Sequence, residues 1–193
     1  MKKVTLLDNT DELLLKTLSM HPRINQVKLA KKTDLTQPAI SLRLRKLKKM
    51  GLINDIGPHL DAKSLGLTMM KVDMEVKNGH GLIEKFRGCP AVVNSYTVEE
   101  NNGMCMILVG ESTQFLNCMV AHHLKEHPDI TNVSSELVTD SLRGFKTCMD
   151  AKQKLDTAPC GDGPCSKCEY YIDNGGECVG CPMTKFYKGT VWK

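Results

Sequence analysis

The stretch Asn25–Ile53, NQVKLAKKTDLTQPAISLRLRKLKKMGLI, contains the pattern that decides the fold of the first part of the chain. Its apolar residues recur at helical spacing in two runs. Leu35-Thr36 separates the runs and predicts a turn with Thr36 as a helix N-cap. Gly51 follows the second run, where a left-handed helix end is favourable. Two helices joined by a short turn form a helix-turn-helix, whose second helix enters the major groove of DNA.

The residues on either side extend this unit to three helices and a wing. A capped apolar run over residues 8–21 predicts a first helix, which Pro22 ends because the residue before a proline is disfavoured in a helix. After the second helix of the motif, Leu52, Ile53 and Ile56 precede Gly57-Pro58 and predict a short wing. We therefore expect residues 1–60 to form a winged helix-turn-helix.

The charge distribution points to a polyanionic partner for this unit. Residues 1–50 contain twelve Lys and Arg against four Asp and Glu, a net charge of +8 in a chain whose total is +4. A basic end on a near-neutral protein favours double-stranded DNA, although an ordinary three-helix bundle with a charged exterior would have the same composition. Polar side chains at helical spacing would meet base edges, and the lysines would contact phosphates. The predicted DNA-binding residues are Gln37, Ser41, Arg43, Arg45, Lys46, Lys48, Lys49, Lys28 and Lys32.

Residues 61–150 have a different pattern of apolar and polar residues. Leu67–Val76 alternates between apolar and polar residues as a half-buried strand does, and Asn102-Gly103 is a strong hairpin turn signal. The expected order is strand, helix, strand, strand, helix, strand, which is the ferredoxin-like βαββαβ arrangement. The fold class is therefore α+β, with a small cysteine-rich segment over residues 151–193.

That last segment holds five of the nine cysteines. They follow the spacing C-x4-C-x2-C-x9-C-x2-C, and a C-x2-C pair allows two sulfurs to approach one metal from a tight turn. A segment so short buries little core and needs an additional link to be stable. The predicted metal ligands are Cys160, Cys165, Cys168, Cys178 and Cys181.

The ligand spacing leaves two metals open. Two C-x2-C pairs suit a tetrahedral zinc ion, Zn²⁺. The C-x4-C-x2-C opening and Cys181-Pro182 instead match ferredoxin-type iron–sulfur ligation, and a fifth cysteine is superfluous for structural zinc. The favoured cofactor is an iron–sulfur cluster of the [4Fe–4S] type. Cys89, Cys105, Cys118 and Cys148 are interpreted as small buried apolar groups.

Composition and motifs bound the remaining possibilities. No apolar run is long enough to span a bilayer, and the start lacks the apolar core of a signal peptide, so we expect a cytoplasmic protein. Nucleotide-binding loops, dinucleotide fingerprints and nucleophile elbows are absent from the sequence. We therefore expect a protein that is not an enzyme, with an iron–sulfur oxidoreductase fused to a DNA-binding module as the rival interpretation.

From Ile24 to Leu67 the sequence resembles the Lrp/AsnC (feast/famine) family of prokaryotic regulators. The resemblance is carried by Leu29-Ala30, Leu35-Thr36, the Arg43–Leu47 pattern and Gly51-Leu52-Ile53, together with the hinge-like run 61–66. It covers roughly three quarters of the chain when residues 67–140 are included. It implies homodimers, or larger homo-oligomers, that form through the ferredoxin-like domains and bind a pseudo-palindromic operator.

One turn departs from the family pattern. Members that sense amino acids usually have a glycine followed by an aspartate between the second and third strands, whereas here Gly103 is followed by Met104. We therefore expect the effector role to have moved to the cysteine-rich segment of residues 151–193 (the tail), which would act in redox, oxygen or iron sensing. A structural zinc site combined with a small-molecule effector is the alternative.

Overall fold

The computed structural model describes residues 7–53, 59–99, 102–146, 155–161, 165–172 and 178–192. The chain folds as two units, Met1–Gly57 and Pro58–Lys193. The cysteine-rich segment, predicted as a separate region from residue 151, lies within the second unit. The wing predicted around residues 54–58 falls outside the described residues.

The first unit consists of three helices, α1 (Asn9–Met20), α2 (Gln26–Thr33) and α3 (Gln37–Lys49). A side chain caps each N-terminus by accepting a backbone N–H three residues along, which satisfies a group that the helix itself leaves unpaired. The capping residues are Asp8, Asn25 and Thr36. All three helices lie where the sequence predicts them.

The core of this unit is formed by one face of each helix. Leu14, Leu29, Ile40 and Leu47 are completely or almost completely buried there. The spacing of α3 predicts an inward stripe of Ile40, Leu44 and Leu47 with Leu42 beside it, but Leu42 is 64% exposed. Two residues correspond to about 200° of rotation around a helix, so Leu42 lies opposite Ile40.

The second unit is built on a four-stranded antiparallel sheet. Its strands are β1 (Thr68–Val76), β2 (Val92–Thr97), β3 (Gly103–Gly110) and β4 (Ile130–Val138). Their order is β2-β3-β1-β4. Helices α4 (Gly79–Phe86) and α5 (Thr113–Met119) connect them, which gives the predicted βαββαβ order.

Alternation along the central strands separates the two faces of the sheet. Met70, Val72 and Met74 of β1 are buried with Met106 and Leu108 of β3, beneath the helices. Side chains at the intervening positions of β1 are polar and only partly buried. This face-specific burial fixes the register, because a slip of one residue would turn the apolar side chains outward.

The sequence predicts one helix over residues 113–127, which Pro128 ends, but this helix changes type part-way. Its α-helical part ends at Met119, and Val120–Lys125 continues as a π-helix. Val120 and Leu124, four residues apart, are both buried. π-helical turns occur often at functional sites. No helix in the described part of the chain is both long and apolar enough to cross a membrane.

The end of the chain packs against the sheet domain. Leu155 and Thr184 form a parallel bridge within this segment. Trp192 is fully buried in a small cluster with Leu67, Val109 and Phe145. The segment therefore shares a core with the ferredoxin-like domain. The polar composition of residues 152–159 predicts a linker, but Ala158 in that range is buried.

Glu111, at the end of β3, anchors this packing. Its carboxylate accepts hydrogen bonds from the backbone N–H of Thr190 at 2.9 and 2.8 Å and from the Thr190 hydroxyl at 2.9 Å. The Tyr187 hydroxyl and the Val191 N–H donate to it as well. A single carboxylate thus holds the backbone just before the buried indole of Trp192.

Replacing Glu111 with Ala should release the end of the chain from the domain. Hydrogen bonds to a charged group each contribute roughly 1.5–3 kcal/mol, and several are lost together. Trp192 is the only tryptophan, so its fluorescence reports the packing directly. We expect a red-shifted emission and faster tryptic cleavage after residue 185, whereas the exposed Glu99→Ala should leave both unchanged. An unshifted emission in Glu111→Ala would show that the carboxylate is not the anchor.

Candidate functional site

The outward face of α3 forms the candidate nucleic-acid interface. Gln37 and Arg45 are exposed and Ser41 is partly exposed, at spacings that place them along one side of the helix. Leu42 lies beside them with most of its side chain in solvent. An exposed leucine on such a helix can contact the methyl group of thymine, a role that the sequence pattern did not indicate.

Two of the predicted DNA contacts have partners inside the unit. The Arg43 guanidinium Nη1 donates to Asp8 Oδ2 at 2.6 Å and to Asp11 Oδ1 at 2.7 Å. Lys46 Nζ donates to Asp11 Oδ2 at 3.2 Å. The Asp11 side chain is fully buried, and a buried carboxylate requires such compensation. Arg43 and Lys46 therefore hold α3 against α1.

The remaining predicted cations are available to a polyanion. They are all exposed, and within the described residues they have no carboxylate within ion-pair distance. Unopposed lysines and arginines can neutralise phosphates and release counterions, which provides most of the affinity for DNA. These residues are Arg45, Lys48, Lys49, Lys28 and Lys32.

A second candidate site lies between the tail and the helices that cover the sheet. It is a cavity of about 50 Å³, room for a few water-sized atoms. All five predicted metal ligands line it, so the fold brings Cys160, Cys165, Cys168, Cys178 and Cys181 together. Eight of the nine cysteines lie in described residues, and all eight are thiols. Cys148 lies outside the described residues.

The sheet domain contributes two further thiols to the same cavity. Cys89 follows α4, and Cys118 belongs to α5. From the sequence alone, both are expected to be ordinary buried groups because neither belongs to a C-x2-C pair. One signal was available: the tripeptide Gly-Cys-Pro occurs at residues 88–90 and again at 180–182.

Backbone N–H groups near several of these sulfurs favour their thiolate forms. The Gly180 N–H lowers the pKa of Cys178, the Met183 N–H that of Cys181, and the Ala91 N–H that of Cys89. Each donor lies two residues after its cysteine. Gly180 has a φ of 79°, a left-handed conformation that a glycine adopts without strain. Such N–H groups stabilise a thiolate and tune a metal bound to it.

Burial acts in the opposite direction on the free thiols. It raises the pKa of Cys89 and of Cys178 to about 11 and that of Cys181 to about 12. The charges of neighbouring thiolates raise these pKa values further, with Cys89, Cys165 and Cys178 acting on Cys181. The thiols are therefore close enough to repel one another when ionised.

Aromatic and imidazole rings close the rim of the cavity. His122, in the π-helical turn, lies 5.8 Å from the ring of Tyr170. Glu126 accepts hydrogen bonds from both sides, since one carboxylate oxygen lies 3.0 Å from His122 Nδ1 and the other 3.3 Å from the Tyr170 hydroxyl. On the tail side, the Tyr171 hydroxyl donates to the carbonyl of Phe186 at 2.9 Å. The rim thus joins the tail to the helix that carries Cys118.

Within the described residues, no three His, Cys, Asp or Glu side chains are arranged as a ready single-ion site. Four sulfurs around one zinc would be about 3.8 Å apart, given tetrahedral Zn–S bonds of roughly 2.3 Å. The sulfurs line one cavity, but their side chains must move closer together before four of them can bind one ion. Folding and metal binding are commonly coupled in this way in small cysteine-rich segments.

Arg43→Ala and Arg45→Ala should separate the structural from the DNA-contacting cations. Removing Arg43 leaves the buried Asp11 with one partner fewer, so we expect the first unit to lose about 1–3 kcal/mol of stability. Removing Arg45 should leave the thermal midpoint unchanged and weaken DNA binding. Circular dichroism melting and electrophoretic mobility shifts measure the two effects. Equal stability losses in both variants would contradict the assignment.

The Asp8–Arg43 pair predicts a specific response to acid. The Arg43 guanidinium, which donates a hydrogen bond to it, holds the pKa of the Asp8 carboxyl below its usual 3.8. A carboxyl whose pKa is lowered on folding stabilises the protein above its unfolded pKa, and this contribution disappears as the pH falls through the folded value.

Asp8→Asn retains an N-cap but removes the charge. We expect its thermal midpoint to be lower than that of the parent protein at pH 7 and to fall less steeply between pH 5 and pH 2. If the thermal midpoints of the two proteins fall by the same amount across that range, the Asp8–Arg43 pair contributes nothing to the pH dependence of stability.

Comparison with known proteins agrees with this architecture. Residues 7–54 match a family model described as winged helix-turn-helix DNA-binding. The transcriptional regulator AzlB of Bacillus subtilis is 24% identical over 139 residues, which cover 69% of this chain and 88% of AzlB. The HTH-type transcriptional regulator AldR of Mycolicibacterium smegmatis is 25% identical over 145 residues, covering 72% of this chain and 84% of AldR.

Solved structures extend the similarity to the fold of both units. Escherichia coli AsnC superimposes with a TM-score of 0.57 at 19% identity, covering 71% of this chain and 95% of its own. Bacillus subtilis LrpC gives a TM-score of 0.56 at 21% identity, with coverages of 71% and 97%. The leucine response regulatory protein LrpA of Mycobacterium tuberculosis gives 0.62 at 16% identity, with coverages of 70% and 94%. Over about 70% of its length, then, the chain has the fold of AsnC, LrpC and LrpA, beginning with a winged helix-turn-helix DNA-binding unit.

Proposed function

We propose that the protein is a DNA-binding transcription regulator of the Lrp/AsnC type that acts as a homodimer on a pseudo-palindromic operator in the cytoplasm. The exposed side of α3 supports this, because Gln37, Ser41 and Arg45 lie along it among unopposed cations. Two copies of the helix, related by the twofold axis of a dimer, would read two half-sites about one helical turn apart. The relatives AzlB and AldR are regulators by name.

The regulatory part of the proposal is an iron–sulfur centre of the [4Fe–4S] type in the cysteine cavity. One observation carries it: five tail thiols, spaced as metal ligands in the sequence, line a single cavity against the sheet domain. The Gly180 and Met183 N–H groups, which favour the thiolate forms of Cys178 and Cys181, suit thiolates bound to a cation. Four of the five tail cysteines are enough to ligate such a cluster.

Such a cluster would supply a centre whose oxidation or loss depends on oxygen, redox state or iron supply. The residues around the cluster would make the position of the tail depend on whether the cluster is bound. Tyr170 and Tyr171 cover the cavity from the tail, and Glu126 joins Tyr170 to the helix beneath. The expected result of cluster loss is a loosened tail, and with it a changed geometry of the dimer and its two reading helices.

Zinc is the alternative occupant, since the same thiols could close on one ion. In that case the centre would stabilise the tail without sensing, and a small molecule would be the effector. An enzymatic iron–sulfur protein is the more distant alternative, and it would turn over an electron donor or acceptor. The three possibilities differ in metal content and in how DNA binding responds to metal removal.

The experiment compares anaerobically purified protein with the same protein after chelation. We expect bound iron and sulfide, broad visible absorbance, and a change of fivefold or more in operator affinity on metal removal, as is usual for coupled sites. Arg45→Ala serves as the control, since it should lose DNA binding while keeping its iron. Stoichiometric zinc with unchanged affinity would favour the structural alternative. Identical affinity with and without iron would disprove sensing.

A further inference from the structure

Two cysteines of the ferredoxin-like domain share the cavity with the tail cysteines. Cys89 lies in the turn between α4 and β2, and Cys118 lies in the last turn of α5 before the π-helical segment. Both lie in the ferredoxin-like domain, outside the C-x4-C-x2-C-x9-C-x2-C pattern of the tail. Their position raises the question of whether they pack the core or bind what the tail cysteines bind.

Cys89 has the local geometry of the tail ligands. Its carbonyl accepts the N–H of Val92, three residues along, at 3.1 Å, as the carbonyl of Cys181 accepts that of Thr184 at 2.9 Å. Gly88-Cys89-Pro90 repeats the tripeptide that surrounds Cys181. The same tripeptide therefore leads into a tight turn at two places along one cavity.

The shared cavity brings the two domain thiols close to the thiols of the tail. Cys89 is near enough to Cys181 to raise its pKa when ionised, and Cys118 acts on Cys178 in the same way. Cys165 acts on both Cys178 and Cys181 as well, so the domain thiols and the tail thiols form one group.

Cys105 shows what a cysteine outside this arrangement looks like. It lies on β3 at a position that alternates with the buried Met104 and Met106, so its side chain is on the opposite face of the sheet. Its neighbours are Asp73 and Lys71, and it does not line the cavity. It provides a matched control from the same domain.

We propose that Cys89 and Cys118 are ligands of the metal centre, together with cysteines of the tail. The inference rests on the centre proposed above and assigns two of its ligands to the ferredoxin-like domain. Each thiol that binds gives up its proton to solvent. Ligation then links the tail directly to the α4–β2 turn and to α5. Loss of the centre would separate the tail from both elements at once, which is a stronger coupling than a centre confined to the tail could provide.

Alanine substitution separates ligation from packing. An apolar replacement preserves a packing role and abolishes ligation, so Cys89→Ala and Cys118→Ala are compared with Cys105→Ala in the full-length protein. After anaerobic purification, bound iron and zinc are counted and their loss to a chelator is timed. We expect Cys89→Ala and Cys118→Ala to lose metal at least about tenfold faster than the parent, because even outer-shell changes cost that much in affinity. Cys105→Ala should match the parent.

Trp192 emission and thermal melting provide readouts that do not depend on metal counting. We expect the two ligand variants to resemble the chelated parent protein in both, since each would lack the same link. A variant that melts well below the chelated parent is damaged in its fold. For that variant, the corresponding Cys→Val substitution, which refills the space, is measured instead, and it too should fail to retain metal.

The outcomes distinguish this inference from the proposed function. A parent protein without bound iron or zinc would contradict the metal centre itself, and with it this assignment. A parent protein with metal, and Cys89→Ala and Cys118→Ala variants that keep it as firmly as Cys105→Ala, would overturn the assignment alone. The centre would then belong to the tail cysteines only.

Discussion

Glu111 is the residue on which the arrangement of the second unit depends. It stands where β3 ends, and its carboxylate gathers the hydrogen-bond donors of residues 187–191. Because these donors include backbone N–H groups, the end of the chain is held by its main chain and not by one replaceable side chain. Trp192 then completes a small core with Val109 and Phe145. This attachment brings the tail over the sheet-covering helices and so creates the cysteine cavity.

In the first unit, ion pairs with a buried carboxylate position the basic helix α3. Asp11 is buried, and its charge is compensated by Arg43 and Lys46 from α3. Two of the cations of α3 therefore orient the helix, while Arg45 and its exposed neighbours remain available to a polyanion. Removing one partner of such a buried pair is costly, because the other charge then remains without compensation. Charge on this helix consequently has two functions that composition alone does not separate.

Most of the secondary structure could be predicted because its determinants are local. Asp8, Asn25 and Thr36 cap helices that begin where their side chains can accept a nearby N–H. Alternation in β1 follows from one buried face. The π-helical turn after Met119 could not be predicted, since the spacing of its buried residues Val120 and Leu124 is also that of an ordinary α-helix.

The sequence by itself determined the α+β plan, a helix-turn-helix unit before a βαββαβ domain, and the C-x2-C spacing of the tail cysteines, because periodicity, capping and ligand spacing act over a few residues. Only the tertiary structure decided that Arg43 faces α1, that Leu42 faces solvent, and that Cys89 and Cys118 meet the tail. These facts depend on which distant segments share a surface. Packing of the chain end through Glu111 and Trp192 brings together thiols more than forty residues apart in the sequence.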